Sequence, residues 1–470
     1  MQLAGEDLYY TNFTYDPTCY YFLYIGELKA YGLNLFLREA LQKRVPGREV
    51  RFAAIIPDVC TQYYYDDVIV INPLCGGRAA AVGPNSEPGP RTSCRMAIAD
   101  FMTAVSASAT VRGLIAAILE HQPELYLSLF ESVVEMTLDA IEGVSILGPD
   151  KAIARRWNSK LVQFTELTEV VPLVKGEVCH GLDALLTRTA ALRDSWPDGI
   201  FVSTAYSAAG INSAVTRSQD EVRRRFTAAD SDYLITRYIP HDLDPTVLAV
   251  VANADDVYIA GIADQNIVDG NRFVGSSFPS QVTADQAALL KTYTIAAGRA
   301  LGAAGYRGIF GCDYLIDRQG IIWFLEINAR KQGTTFEFCC TLEQDLADGA
   351  PSLLELELHA VLHGRFPPGT VAMNANRSGL QWETYNHKVA ATVQTSGYLP
   401  QNTRERESFR RVAGRELAMD YVIVEHLGAM LTVMPGTFLA RVISVANSRD
   451  NVALGLRQGM NLINQTIQHV

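Results

Sequence analysis

Three oxygen-bearing side chains lie close together in the stretch Gly308–Thr335: Asp313, Glu326 and Asn328. Phe310 to Ile316 reads as a strand of aromatic and branched residues, Asp317-Arg318-Gln319-Gly320 as a polar turn, and Ile321 to Asn328 as the return strand. Side chains alternate with period two along a strand, so Glu326 and Asn328 share a face. If the turn pairs Ile316 with Ile321, Asp313 stands opposite Phe324. Glu326 is then its diagonal neighbour, about 7–8 Å away on the same face. Trp323, Leu325 and Ile327 are left to face a core. Two carboxylates and an amide oxygen are hard ligands. Such a set suits Mg²⁺, which shares its coordination with substrate phosphates. The competing reading is a solvated hairpin face carrying acids by chance.

The order Asp313, the Gly320 turn, then Leu325-Glu326-Ile327-Asn328-Ala329-Arg330 resembles the metal-binding signature of the ATP-grasp superfamily. Four further landmarks stand in the family's order, and together the five cover about residues 148 to 340. Gly148-Pro149-Asp150 opens a helix carrying Lys160, which by resemblance reaches the nucleotide phosphates; an ammonium is a suitable point charge for a polyphosphate. Ile200–Thr204 leads into a small-residue loop, 205–213, in which Ser207 and Gly210 would approach the phosphates. Tyr233–Ile239 resembles the hinge strand whose backbone reads adenine, at Thr236, Arg237, Tyr238 and Ile239. Asp244 falls where a ribose-binding carboxylate often sits, although a turn-capping Asp fits too. Ala284–Leu301 resembles the long helix before the hairpin.

The chain departs from the family pattern twice. The strand before the small-residue loop, Phe201-Val202-Ser203-Thr204, lacks the usual second phosphate-binding Lys. Gly311 stands where an Arg commonly precedes the metal Asp. Arg330, with its planar fork, is the candidate catalytic charge on the transferred phosphoryl group.

The elements that must position these residues read as follows. Residues 1–155 show strand, helix, strand repeats: Tyr20–Ile25, then Leu28–Lys43 with Leu33, Leu37 and Leu41 on one stripe, then Val50–Ile56 and Val68–Asn72. This predicts an N-terminal α/β domain with a parallel sheet. Residues 156–238 read as a small lid subdomain, with Val170–Pro172 as a short strand and Leu182–Ser195 as a helix. Residues 239–365 read as an antiparallel-sheet catalytic core, and 366–470 as a C-terminal α+β appendage. The fold expected is α/β and α+β, of ATP-grasp type.

The remaining motifs exclude more than they assign. Neither GxxxxGK[ST] nor GxGxxG occurs, so Gly76-Gly77 and the loop 83–91 read as turns. His359 and His363 share a helix face without HExxH or a third ligand, so a helix face is the better reading than zinc. His387 and Lys388 read as surface. With 470 residues there is room for several subdomains around sizeable cores. A net charge of −11 without basic clusters argues against nucleic acid. No apolar run approaches the ~20 residues that span a bilayer, and the acidic N-terminus does not read as a signal peptide. Eight scattered cysteines without CxxC suit reduced thiols and a cytoplasmic setting.

The expectation is a ligase that joins a small-molecule carboxylate to an amine, of the amino-acid or peptide ligase type. It would use ATP with Mg²⁺ or Mn²⁺ through an acyl phosphate, and by resemblance it would form a homodimer. A catalytically degenerate ATP-binding protein and a bicarbonate-using carboxylase are the alternatives.

Overall fold

The computed structural model describes residues 3–469 apart from 4, 6, 59–64, 75–90, 94–95, 207–211, 269–271, 374–375, 397–403 and 425–430. The chain divides into two compact units. One comprises Met1–Lys151 with Gly333–Val470, the other Ala152–Gln332.

The first unit opens with strands β1 (Tyr10–Thr11), β2 (Tyr20–Ile25), β3 (Val50–Ile56), β4 (Val68–Val70), β5 (Arg91–Ser93), β6 (Leu125–Leu129) and β7 (Val144–Leu147). Helices α1 (Leu33–Arg44), α2 (Ile98–Ala107) and α3 (Ala109–Leu119) connect them. The sheet order is β1-β4-β3-β2-β6-β7, parallel except for β1. β2 is buried at all six positions, as a parallel strand covered on both faces must be. The α1 stripe of Leu33, Leu37 and Leu41 is buried, as its spacing predicts.

The second unit starts with α4 (Lys151–Trp157) and α5 (Lys160–Glu166). A four-stranded antiparallel sheet follows, made of β8 (Gly176–His180), β9 (Ile200–Thr204), β10 (Ser213–Thr216) and β11 (Asp232–Arg237). It carries α6 (Leu182–Leu192) and α7 (Gln219–Arg225) over a small core of Leu185, Val202, Val222 and Ile235. Val170–Pro172 is not a strand. The chain turns there after α5, and the sheet's edge is β8 instead. The lone Val-Val pair buries Val171 in the core under the hairpin.

β12 (His241–Leu243), β13 (Pro245–Val251), β14 (Val257–Val268), β15 (Arg272–Phe278), the long α8 (Ala284–Ala303), β16 (Gly308–Asp317) and β17 (Ile322–Asn328) complete this unit. Their order is β12-β16-β13-β14-β15, with β17 on β16. β16 is buried throughout, so both faces of the central strand are covered. α8 begins with a capping box between Thr283 and Gln286 and packs Leu290, Ala297 and Leu301 under the sheet.

The rest of the first unit holds α9 (Thr335–Asp345), α10 (Leu353–His363), β18 (Gln381–Lys388), β19 (Val393–Thr395), α11 (Glu405–Ala413), β20 (Met419–Val424), β21 (Leu431–Val433), β22 (Phe438–Ala446), α12 (Arg449–Gln465) and β23 (Ile467–His469). His387 and Lys388, expected at the surface, are half-buried at the end of β18, an eight-residue strand paired with β22. On α10 the His363 ring lies against Arg44, 2.9 Å from its Nη1. Among the described residues no three His, Cys, Asp or Glu side chains cluster to hold a metal, and no single helix is long and apolar enough to cross a membrane.

Candidate active site

The hairpin register differs from the sequence expectation. Ile316 pairs with Ile322, Leu315 with Trp323 and Tyr314 with Phe324. Then Leu325 is extra, and Asp313 pairs directly with Glu326. A one-residue bulge of this kind shifts the phase of every side chain beyond it. The core face of β17 is therefore Ile322, Phe324 and Ile327, all in one cluster with Phe310, Cys312 and Tyr314. Leu325, expected in the core, is 43% exposed, and Trp323 is half-buried against a separate small cluster rather than beside Ile327. The turn is held by Asp317, whose Oδ1 accepts the Gln319 and Ile321 amides at 3.0 and 2.9 Å. Its Oδ2 accepts Trp323 Nε1 at 3.0 Å, and Gly320 takes φ +81°, which costs glycine little.

Across three strands, Thr246, Asp313 and Glu326 stand in one row. Asp313 is 8% exposed and held by three neutral donors. Thr246 Oγ1 donates to its Oδ1 at 2.6 Å, Gln332 Nε2 to the same oxygen at 3.2 Å, and Asn328 Nδ2 to Oδ2 at 2.8 Å. A carboxylate offers about four lone-pair directions, so acceptor capacity is left for a cation. Asn328, having donated through nitrogen, keeps its amide oxygen for the same purpose. Gln332 lies flat over Gly311, where a Cβ would come within 2.0 Å of its Cδ. No arginine fits at 311 beside that amide.

Lys160 opens α5, and its ammonium pairs with the Glu326 carboxylate. Burial pushes this lysine down to about 8, Asp313 opposing and Arg330 reinforcing the fall. Two amides fix the helix there. Gln163 bonds both backbone groups of Ile327, accepting from its N–H at 2.7 Å and donating to its C=O at 2.8 Å. Asn158 Oδ1 accepts the Ala329 N–H at 2.9 Å. Arg330 is half-buried at the end of the same segment.

On the outer face, Val174, Ile239 and Leu315 form a small apolar patch with Trp323 against it. The Arg237 guanidinium sits 6.0 Å over the Trp323 ring. The N–H groups of Arg237 and Tyr238 donate to Lys175 O and Gly199 O, both at 3.0 Å. Thr236 pairs with Gly176 and Phe201 inside the sheet. His241 was not singled out from sequence. Its Nδ1 donates to Ile239 O at 2.7 Å and its Nε2 lies 2.9 Å from Asp244 Oδ1. The hydrogen bond to Asp244 raises its pKa. Ser207 and Gly210 lie outside the described residues. The structure thus brings Lys160, Asp313, Glu326 and Asn328 together. It adds Thr246, Gln332, Asn158 and Gln163, whose only sequence signal is an amide or hydroxyl ordinarily read as solvated.

No protein-family model matches the chain. Among curated proteins, the butirosin acyl-carrier-protein–L-glutamate ligase of Niallia circulans is 23% identical over 209 residues. The match takes in 43% of this chain and about half (49%) of that protein's length. Among solved structures, the biotin carboxylase domain of the Hydrogenobacter thermophilus 2-oxoglutarate carboxylase, in complex with MgADP, ADP and bicarbonate, matches with TM-score 0.63 and 14% identity. It covers 93% of this chain and 89% of its own. N5-carboxyaminoimidazole synthase of Aspergillus clavatus, with ADP and 5-aminoimidazole ribonucleotide, matches at 0.57 with 12% identity over 96% and 100%. The chain has the ATP-grasp fold. Within an ATP-grasp fold the donor set is chemically apt for Mg²⁺: two carboxylates and an amide oxygen, with a lysine and an arginine for phosphate oxygens.

Proposed function

We propose that this ATP-grasp chain is an ATP-dependent ligase that activates a carboxylate as an acyl phosphate and passes it to an amine. Asp313, Glu326 and Asn328 would hold Mg²⁺, which neutralises charge building on the phosphates. Lys160 leaves Glu326 for the phosphate oxygens when nucleotide arrives. Arg330 fits the transferred phosphoryl group with its fork. Ser207 and Gly210 would cover the phosphates, the Ile239–Leu315 patch would take the adenine ring, since the Arg237 and Tyr238 N–H groups are spent on Lys175 O and Gly199 O, and Asp244 the ribose. The acid's oxygen attacks the γ-phosphorus and ADP leaves. The neutral amine then attacks the acyl carbon, phosphate departs with the C–O bonding pair, and the proton lost from nitrogen is taken up by the departing phosphate. The protein's part is positioning and charge neutralisation.

The observation that carries this reading is the direct Asp313–Glu326 pairing with Lys160 at Glu326. The glutamate ligase relative favours amide formation, with an amino acid, a peptide or a carrier-bound group as partner. A second reading, carboxylation with bicarbonate, is favoured by the bicarbonate bound in the Hydrogenobacter neighbour. Purified protein is incubated with ATP, Mg²⁺ and paired acid and amine pools, with and without labelled bicarbonate. ADP, phosphate and an amide mass are the expected products. Label in the product would select the carboxylase. Release of AMP, or no nucleotide turnover under any pairing, would sink both.

A further inference from the structure

Lys160 has a fixed root and a long stem. Its N–H donates to Ala205 O at 2.8 Å, where the loop 205–213 begins. Gln163, further along α5, holds the helix to both backbone groups of Ile327. The four-carbon side chain can therefore swing while its backbone stays in place. Its ammonium pairs with Glu326, the two side chains being 14% and 23% exposed, and the charge of Asp313 acts on it as well. Asp313 itself is hydrogen-bonded by neutral groups, those of Thr246, Gln332 and Asn328. Carboxylates directly opposite on paired strands have Cβ atoms about 4.5–5.5 Å apart, close enough to repel when both are ionised. β9 carries no lysine or arginine and position 311 is glycine, so neither shares the task of compensating them.

We propose that the Lys160 ammonium is a built-in counter-ion that occupies the cation seat at Glu326 until a polyphosphate draws it away. A divalent metal then binds tightly only with, or after, the nucleotide. Ammonium and metal are alternatives at this carboxylate, because two cations meeting there would repel each other. A nucleotide offers the ammonium several anionic oxygens in place of one carboxylate. As the stem swings over, Glu326 is left uncompensated opposite Asp313, and a divalent ion supplies the charge that the ammonium withdrew. Metal and nucleotide are thus positively coupled through one side chain, and by linkage each strengthens the other by the same factor. The contrasting role is a phosphate ligand that merely rests on Glu326. Such a lysine leaves metal binding unchanged when no phosphate is present.

This inference rests on the ligase reading for what fills the seat, but its test involves no turnover. Mn²⁺ is titrated into the nucleotide-free full chain and followed by the paramagnetic resonance of the unbound ion. The titration is run at pH 7, where the ammonium, pushed down to about 8, is the main form. Lys160→Met should bind Mn²⁺ at least about tenfold more tightly than the parent chain, since one opposing charge is gone. Lys160→Gln, which keeps a donor for Glu326 and so protects the fold, should show the same gain. Lys160→Arg keeps the charge and should stay within about twofold of the parent. Unchanged affinity in both neutral variants would overturn the counter-ion, and so would an equal gain in Lys160→Arg. Calorimetric binding of MgADP to the parent chain separates this failure from that of the ligase reading. If MgADP binds while the neutral variants gain nothing, only the counter-ion falls. If the parent binds neither MgADP nor Mn²⁺, both fall.

Discussion

Asp313 and Glu326 stand directly opposite each other on β16 and β17, because Leu325 is accommodated as an extra residue in the strand between Phe324 and Glu326. The bulge turns two separated acids into a facing pair. Lys160 closes the pair by ion-pairing with Glu326, and Thr246, Gln332 and Asn328 hold the other carboxylate still.

Glu326→Gln keeps the shape but removes the charge that meets Lys160 and that, on the proposed reading, would meet Mg²⁺. Mg²⁺-dependent release of ADP should fall about a hundredfold or more, the scale on which loss of preorganised charge at a phosphoryl site is felt. Circular dichroism should be unchanged. Full activity in this variant would show that the row Thr246–Asp313–Glu326 is not the metal face.

Thr246→Val and Gly311→Ala test how Asp313 is held. The first deletes the 2.6 Å bond to Asp313 Oδ1. A hydrogen bond to a charged group contributes about 1.5–3 kcal/mol, so Mn²⁺ affinity, read by titration, should drop about tenfold or more. The second puts a methyl 2.0 Å from Gln332 Cδ and must expel that side chain. A comparable loss is expected. Equal Mn²⁺ affinity in all three proteins would show that Asp313 needs no such support.

The bulge makes a stability prediction that an unbroken hairpin reverses. Phe324 is 2% exposed and Leu325 is 43% exposed. Phe324→Ala should therefore cost about 3–5 kcal/mol by urea unfolding. Leu325→Ala should stay within about 1 kcal/mol of the parent chain. With the register read from periodicity alone, the larger cost would fall on Leu325.

Glu405 gives a pH signature. Burial, aided by Glu337, pushes its carboxyl up from 4.5 to about 7. The folded chain therefore holds a proton that the unfolded chain has released between those two values. By linkage, this group's contribution to stability is greatest below about 4.5. It declines as pH rises to about 7 and is flat above. The span corresponds to about 3 kcal/mol. Glu405→Gln should remove this decline, so the difference in unfolding free energy between variant and parent should grow across that window. A constant difference from pH 4.5 to 8 would show that Glu405 titrates normally.

Much of the architecture was legible in the chain. The α1 stripe, β3 and β9 follow from hydrophobic period and strand composition, which act over a few residues, whereas α8 was expected from the resemblance. Asp313, Glu326, Asn328 and Lys160 were legible as types at a spacing. Local pattern did not show Val170–Pro172 as a turn, or β18 as a paired strand, because a short apolar run or a mixed polar one is compatible with either state until neighbours are known.

The sequence by itself determined which groups are available for chemistry and on which strands they ride, since side-chain type and period-two alternation are properties of the chain alone. Tertiary structure decided which of them meet. Asp313 faces Glu326 only because one residue bulges to keep Phe324 and Ile327 both in the core, and burial of those two outweighs a regular ladder. Lys160 reaches Glu326 only because Gln163 and Asn158, on α5 and just before it, satisfy backbone groups of Ile327 and Ala329 more than a hundred and sixty residues away. Such pairings are set by which buried polar groups find partners, and that is settled only when the chain is folded.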